Sequence, residues 1–130
     1  MTLSEEVMSS SSILTTGLDE VGLYRVPGSV SSVKALMAAL NSSEVDMEDE
    51  RWIDVNVVAG TFKSWLRELP DSILTNELYD KFIYAAGLQD YEKKYYAIRS
   101  LVHQLPKGNF DLLHRIIQHL KLYILSFIYR

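Results

Sequence analysis

Apolar residues recur at steps of three and four through most of this 130-residue chain, and no stretch alternates convincingly with a period of two. That pattern predicts helices throughout. Leu3, Val7, Ile13 and Leu14 line one face of a frayed first helix, divided at Ser9 to Ser12, where serine competes for the backbone; a flexible lead-in explains the same residues equally well. Val33, Leu36, Met37 and Leu40 form the stripe of the next helix, which Ser29, Ser31 or Ser32 can open and Asn41 can end. Val55, Val58, Phe62, Trp65, Leu66 and Leu69 mark a third, capped by Asp54 and stopped after Leu69 by Pro70. A fourth opens at Thr75 or Asn76 and runs through Ala86 to Gly87, burying Leu78, Phe82 and Ile83.

Leu88, Tyr91, Tyr95, Ile98, Val102 and Leu105 make an unbroken seam on a further helix closed by Pro106 and Gly108. The seam is shorter than the three or four heptads of a coiled coil, so it predicts packing within the chain. Asn109 opens a helix with Leu113, Ile116, Ile117 and Leu120 inside. Beyond it, the apolar residues of 121–130 fall on every side of a helix. That run is far shorter than the roughly 20 residues that span a bilayer, and it predicts an extension of the last helix rather than an integral membrane segment. The expected fold is all-α, a single bundle of about six or seven helices around one core.

The gaps between helices carry the polar information. Glu44 to Glu50 places five carboxylates in seven residues, which is too self-repelling to pack and lacks the glycine and ligand spacing of a calcium loop. It reads as a solvated loop, and no metal site is expected. Gly22-Leu23-Tyr24-Arg25-Val26-Pro27-Gly28-Ser29 is different, with one cation set among apolar, turn-prone residues. Glycine at either end permits a sharp turn, Pro27 fixes φ, and Leu23 and Val26 are suited to anchor the segment on a core. A stiff loop presenting Arg25 suits insertion into another molecule. A cap on a neighbouring helix, or a pair with Asp19 or Glu20, is the competing account.

On the third helix Asn56, Lys63 and Arg67 fall in register opposite the apolar face. Like charges at i and i+4 cost an isolated helix a few tenths of a kcal/mol, so helix stability does not call for Lys63 and Arg67 together. The two cations are also compatible with complementing the helix C-terminus, with Arg67 pairing to Asp71, at roughly 0.3 to 1 kcal/mol.

In this order, the Arg25 loop and Phe62-Lys63-Ser64-Trp65-Leu66-Arg67-Glu68-Leu69-Pro70 resemble the two sequence motifs of the Rho GTPase-activating protein domain, the RhoGAP family. The resemblance runs from about Gly17 to about Leu120 and implies one domain over residues 1–130, with a divergent apolar tail at 121–130. What it implies for function is activation of a Rho-class small GTPase in its GTP-bound form. Arg25 matches the family's arginine finger, and Lys63 and Arg67 match the lysine and arginine that hold the partner. Asn56 joins them through its register alone. Nucleotide, magnesium and attacking water would belong to the GTPase, so no cofactor is expected, and the chain would be an activator rather than an enzyme on its own.

The family normally has more chain before the finger loop, and after the counterpart of Leu120 a polar loop leads to a helix bearing a functional asparagine. This sequence departs from both, which predicts a domain shortened at its C-terminus and at its N-terminal edge. A second reading follows: a catalytically weak or inactive RhoGAP-fold interaction module that binds small GTPases or other signalling proteins. Apolar surface left without its helix predicts self-association through the tail.

Composition changes this picture little. Seventeen acidic against thirteen basic residues give a formal charge of -4, which argues against a nucleic-acid partner. No cysteine is present, and the first residues lack the basic start and apolar core of a signal peptide, so a cytoplasmic location is expected. Asn41-Ser42-Ser43 matches a glycosylation acceptor, which means nothing without secretion. His103, His114 and His119 lack the spacing of metal ligands on one helical face. No phosphate-cradling glycine loop, nucleophile elbow or His-Glu-x-x-His motif occurs.

Overall fold

The computed structural model describes residues 17–42 and 54–128. The expected first helix and the acidic segment Glu44 to Glu50 lie outside the described residues. Five helices are present: α1 (Val30–Ser42), α2 (Val55–Arg67), α3 (Tyr79–Ala86), α4 (Tyr91–His103) and α5 (Lys107–Ile128). No strand occurs among the described residues, so the all-α expectation is met. The chain divides into two compact units, one comprising Met1–Glu68 with His119–Arg130, the other Leu69–Gln118.

In the first unit, Leu23, Leu36, Leu40, Val57, Val58 and Ala59 form the core, with Tyr24, Val33, Val55 and Tyr123 packed against it. Leu36 and Leu40 are buried, as the stripe of α1 predicts. Asp54 caps α2, accepting the amide of Asn56 at 2.9 Å. The helix ends at Arg67 rather than Leu69, and the amide of Glu68 bonds the carbonyls of Ser64 and Trp65. Pro70 explains the earlier stop, because the residue before proline is pushed out of the α region. The buried face of α2 is also rotated from the expected one: Val57, Ala59 and Thr61 are buried with Val58 and Trp65, while Phe62 and Leu66 are half-buried. Thr61 can occupy an interior place because its hydroxyl donates to the carbonyl of Val57 at 2.8 Å.

In the second unit, Leu78, Ala85, Leu101 and Leu105 form the core, with Phe82, Ile98, Phe110 and Leu113 against it. Here α3 begins at Tyr79, later than expected, because Thr75 takes a positive φ of 63° and its hydroxyl accepts the amide of Leu78 at 3.3 Å. Ile83 is exposed. Asp90 caps α4 through the amide of Lys93 at 3.0 Å, but Tyr91 and Tyr95 are 82% and 52% exposed, so only the C-terminal half of the seam is covered within the unit. Periodicity states which residues share a face, not whether a neighbour covers it. Asn109 lies inside α5 rather than at its start, and its side-chain amide donates to the carbonyl of Ile73 at 3.0 Å. The segment from Lys121 continues α5 to Ile128, as the tail pattern predicts.

Candidate functional site

The Arg25 loop is shaped by two left-handed residues. Gly22 has φ 80° and Tyr24 has φ 74°. Glycine adopts this conformation freely, but for tyrosine it costs on the order of 1 kcal/mol or more, so the surroundings must hold it. The turn closes on the Gly22 carbonyl, which accepts the amides of Arg25 at 2.9 Å and Val26 at 2.8 Å.

Three contacts hold Tyr24. Its ring meets His119 edge-on at 5.7 Å and Tyr123 edge-on at 6.0 Å. Its carbonyl accepts a hydrogen bond from the ammonium of Lys63. Leu23 is buried, as expected of an anchor, but Val26 is exposed, and Tyr24 takes the role assigned to it. The positive φ is the reason, since it turns the Tyr24 side chain inward while Arg25 stays exposed.

Gly28 serves close approach rather than a turn. A Cβ there would stand 2.8 Å from the Val57 Cα and 2.9 Å from its nitrogen, so the loop lies directly on the first turn of α2. Gly17 is buried, and a Cβ there would stand 2.9 Å from the Val55 side chain.

Beside the loop runs a groove of about 560 Å³, walled by Pro27 and Gly28, by Val33 and Met37 of α1, and by Lys63 and Arg67 of α2. The Arg67 guanidinium donates to the Ser64 hydroxyl at 3.3 Å. Lys63 and Arg67 are both exposed on the outer face of α2, as their register predicts. Asn56 is half-buried with its side-chain oxygen shielded from solvent, so it does not share that exposed strip.

Burial sets the electrostatics under the loop. It pushes the Tyr24 phenol well above its ordinary value, with Tyr123 adding to the effect, and holds the His119 imidazole below the usual histidine value. The Tyr24 hydroxyl and His119 Nε2 are buried without a hydrogen-bond partner among the described residues.

The last turns of α5 complete the site. The Tyr123 hydroxyl donates to the Glu20 carbonyl at 3.2 Å, and the Ser126 hydroxyl approaches the Leu18 carbonyl at 3.1 Å. Tyr24, His119, Tyr123 and Ser126 are absent from the sequence-based set of site residues. For the last three the signal is a polar stripe, because 119, 123 and 126 fall at steps of four and three within an otherwise apolar tail.

His103 stacks on Phe110 at 5.8 Å, and His114 lies against the same ring at 6.3 Å. Among the described residues no group of three or more His, Cys, Asp or Glu side chains could hold a metal ion, and no helix is long and apolar enough to cross a membrane.

Residues 7–124 match the family model for the RhoGAP domain. The chain is 43% identical over 114 residues to the GTPase-activating protein BEM2 of Eremothecium gossypii, covering 80% of this chain and 6% of that protein. It is 39% identical over 116 residues to the GTPase-activating protein pac-1 of Caenorhabditis elegans, covering 83% of this chain and 7% of that one. The chain therefore spans a small part of the length of these relatives. The crystal structure of human Rho GTPase activating protein 15 matches with a TM-score of 0.83 and 31% identity, over 90% of this chain and 56% of that one. The BH domain from GRAF, the GTPase regulator associated with focal adhesion kinase, matches with a TM-score of 0.79 and 30% identity, over 95% and 68% of the two chains.

Proposed function

The chain belongs to the RhoGAP family, and on that premise we propose that it acts as one RhoGAP-like domain that accelerates GTP hydrolysis by a Rho-class small GTPase in its GTP-bound form. Arg25 is the arginine finger, supplied in trans. In phosphoryl transfer, charge develops on the transferring group and its leaving oxygen, and a guanidinium placed there stabilises the transition state with directional donors. A finger of this kind contributes roughly a thousandfold to a hundred-thousandfold in rate.

Lys63 and Arg67 dock the partner beside the finger, and the apolar floor of the groove at Val33 and Met37 offers the same partner a dry contact. Asn56 stands in the same register but half-buried, so the contact rests on the two cations.

The observation that carries this reading is the bond from Lys63 to the Tyr24 carbonyl, which joins the docking helix to the residue before Arg25. A loop fastened in this way is preorganised, so less ordering remains to be done when the partner arrives. The test is single-turnover GTP hydrolysis by a panel of small GTPases with the parent chain and with Arg25→Ala. Acceleration of Rho-class members that vanishes in the variant is expected. Binding without acceleration by the parent would instead make the chain an interaction module.

A further inference from the structure

We propose that Tyr123 is a positioning residue for Arg25, holding the finger loop at Glu20 and Tyr24 in addition to the bond from Lys63. The inference rests on Arg25 being the finger.

In the first half of the loop the Glu20 amide reaches the Gly17 carbonyl at 3.0 Å and the Leu23 amide reaches the Glu20 carbonyl at a long 3.4 Å. Further support comes from the far end of the chain. The Tyr123 hydroxyl donates to the Glu20 carbonyl across 103 positions, and Ser126 approaches the Leu18 carbonyl across 108.

These two hydroxyls are not equivalent. Ser126 also lies 2.7 Å from the Tyr123 carbonyl on its own helix, and its single proton is shared between the two acceptors. Tyr123 donates to Glu20 alone, so it is the undivided tether.

Its ring acts as well. It stands edge-on to Tyr24 at an interplanar angle of 90° and edge-on to Phe127 at 4.9 Å, so Tyr123 is clamped by its own helix while it supports the loop. Tyr24 is the residue that needs support, because its left-handed backbone sets the direction in which Arg25 leaves the loop. One side chain thus fixes both the start of the loop, through Glu20, and its strained point, through Tyr24. Tyr123 touches no reacting atom; it acts through the placement of Arg25.

The test uses the full chain with Tyr123→Phe, which removes the hydroxyl and keeps the ring, and Tyr123→Leu, which removes both contacts. In the free chain, amide hydrogen exchange at Arg25 and Val26 is expected to quicken about fivefold in the first variant, the loss of one net hydrogen bond, and further in the second. Exchange within α1 should stay at the parent rate. With a saturating amount of chain, hydrolysis by the responsive GTPase should slow by a similar factor, while the half-saturating concentration changes less than twofold. On an Arg25→Ala background neither substitution should slow hydrolysis further.

Parent-like exchange at Arg25 and Val26 in both variants would overturn the proposal, whatever the turnover. A rise in half-saturating concentration with saturated turnover unchanged would also overturn it, because the defect would then lie in docking. If Arg25→Ala hydrolysed as fast as the parent, the finger reading itself would fall and this inference with it. Tyr123 variants at full rate beside an inactive Arg25→Ala would remove this inference alone.

Discussion

The ammonium of Lys63 donates to the carbonyl of Tyr24, 39 positions earlier and one residue before Arg25. A lysine has three protons to donate, so this bond leaves two for a partner. In the proposed function Lys63 would serve both docking and catalysis, and its loss should be felt in both. Arg67, four residues on, bonds Ser64 of its own helix and has no such tie to the loop.

Lys63→Met should accordingly raise the half-saturating concentration and also slow hydrolysis at saturation, by several-fold in each case. Arg67→Ala should raise only the half-saturating concentration. Titration of each variant against a GTP-loaded Rho-class GTPase separates the two parameters. Equal losses confined to binding in both variants would show that the Tyr24 bond is inconsequential for the finger.

Arg25→Ala should abolish acceleration, a loss of roughly a thousandfold or more, while the complex with GTP-bound partner retains most of its affinity. A finger interacts with the transition state more strongly than with the ground state, so rate should fall before binding does. Single-turnover hydrolysis alongside a binding isotherm on a non-hydrolysable nucleotide complex makes the comparison. Loss of both together would turn Arg25 into a docking residue.

Much of this arrangement is legible in the sequence, and the failures share a physical cause. Leu36 and Leu40 follow from a simple stripe, and Lys63 and Arg67 lie exposed where a like-charged pair opposite an apolar face must lie. The Arg25 loop is legible from its glycines, proline and lone cation. The inward turn of Tyr24 is not, because a left-handed tyrosine is a tertiary outcome that no local propensity favours. Gly28 reads as a turn residue and proves to be a contact residue, since only the position of Val57 distinguishes the two. In the tail, apolar residues all round the helix conceal the polar stripe through Tyr123 and Ser126. On α4 the same limit runs the other way, with Tyr91 and Tyr95 continuing a seam that nothing within their unit covers.

Gly28→Ala should destabilise the chain by about 1 to 3 kcal/mol, because the atoms a methyl would meet at 2.8 to 3.0 Å belong to the backbone of Asn56 and Val57 and cannot rotate away. A drop of several degrees in thermal midpoint is the corresponding observation. Gly108→Ala is the control, because a Cβ there meets nothing within 4 Å and the helical position favours alanine. A midpoint unchanged by Gly28→Ala would mean that the loop does not lie on α2 in solution.

Stability should fall on acidification through the histidine range. His119 is held below the ordinary value of about 6.5 by burial, so below that pH the unfolded chain takes up a proton that the folded chain resists. The contribution is fully present above about pH 6.5 and is lost as pH falls toward the lowered folded value. Urea unfolding at a series of pH values should show this slope, and His119→Phe should flatten it while keeping the edge-on contact with Tyr24. An identical slope in parent and variant would exclude His119 as its source.

Self-association is the last expectation, and it follows from the outer face of α5. Leu120, Ile124 and Ile128 recur every four residues and are 38%, 58% and 64% exposed, while Tyr123 and Ser126 of the same turns are turned to the segment that leads into the Arg25 loop. Such a stripe removes apolar area from water when two copies meet, and each large side chain so covered contributes roughly 1.5 to 3 kcal/mol before the costs of association. Sedimentation should therefore show a concentration-dependent rise in mass. Ile124→Glu should suppress it by setting a charge in the middle of the stripe, and because the substitution leaves the Tyr123 side of the helix intact, GTP hydrolysis per chain should not fall. A parent chain that stays monomeric at high concentration would mean that this stripe is tolerated in water, and a variant that lost turnover along with association would place the same surface in contact with the GTPase.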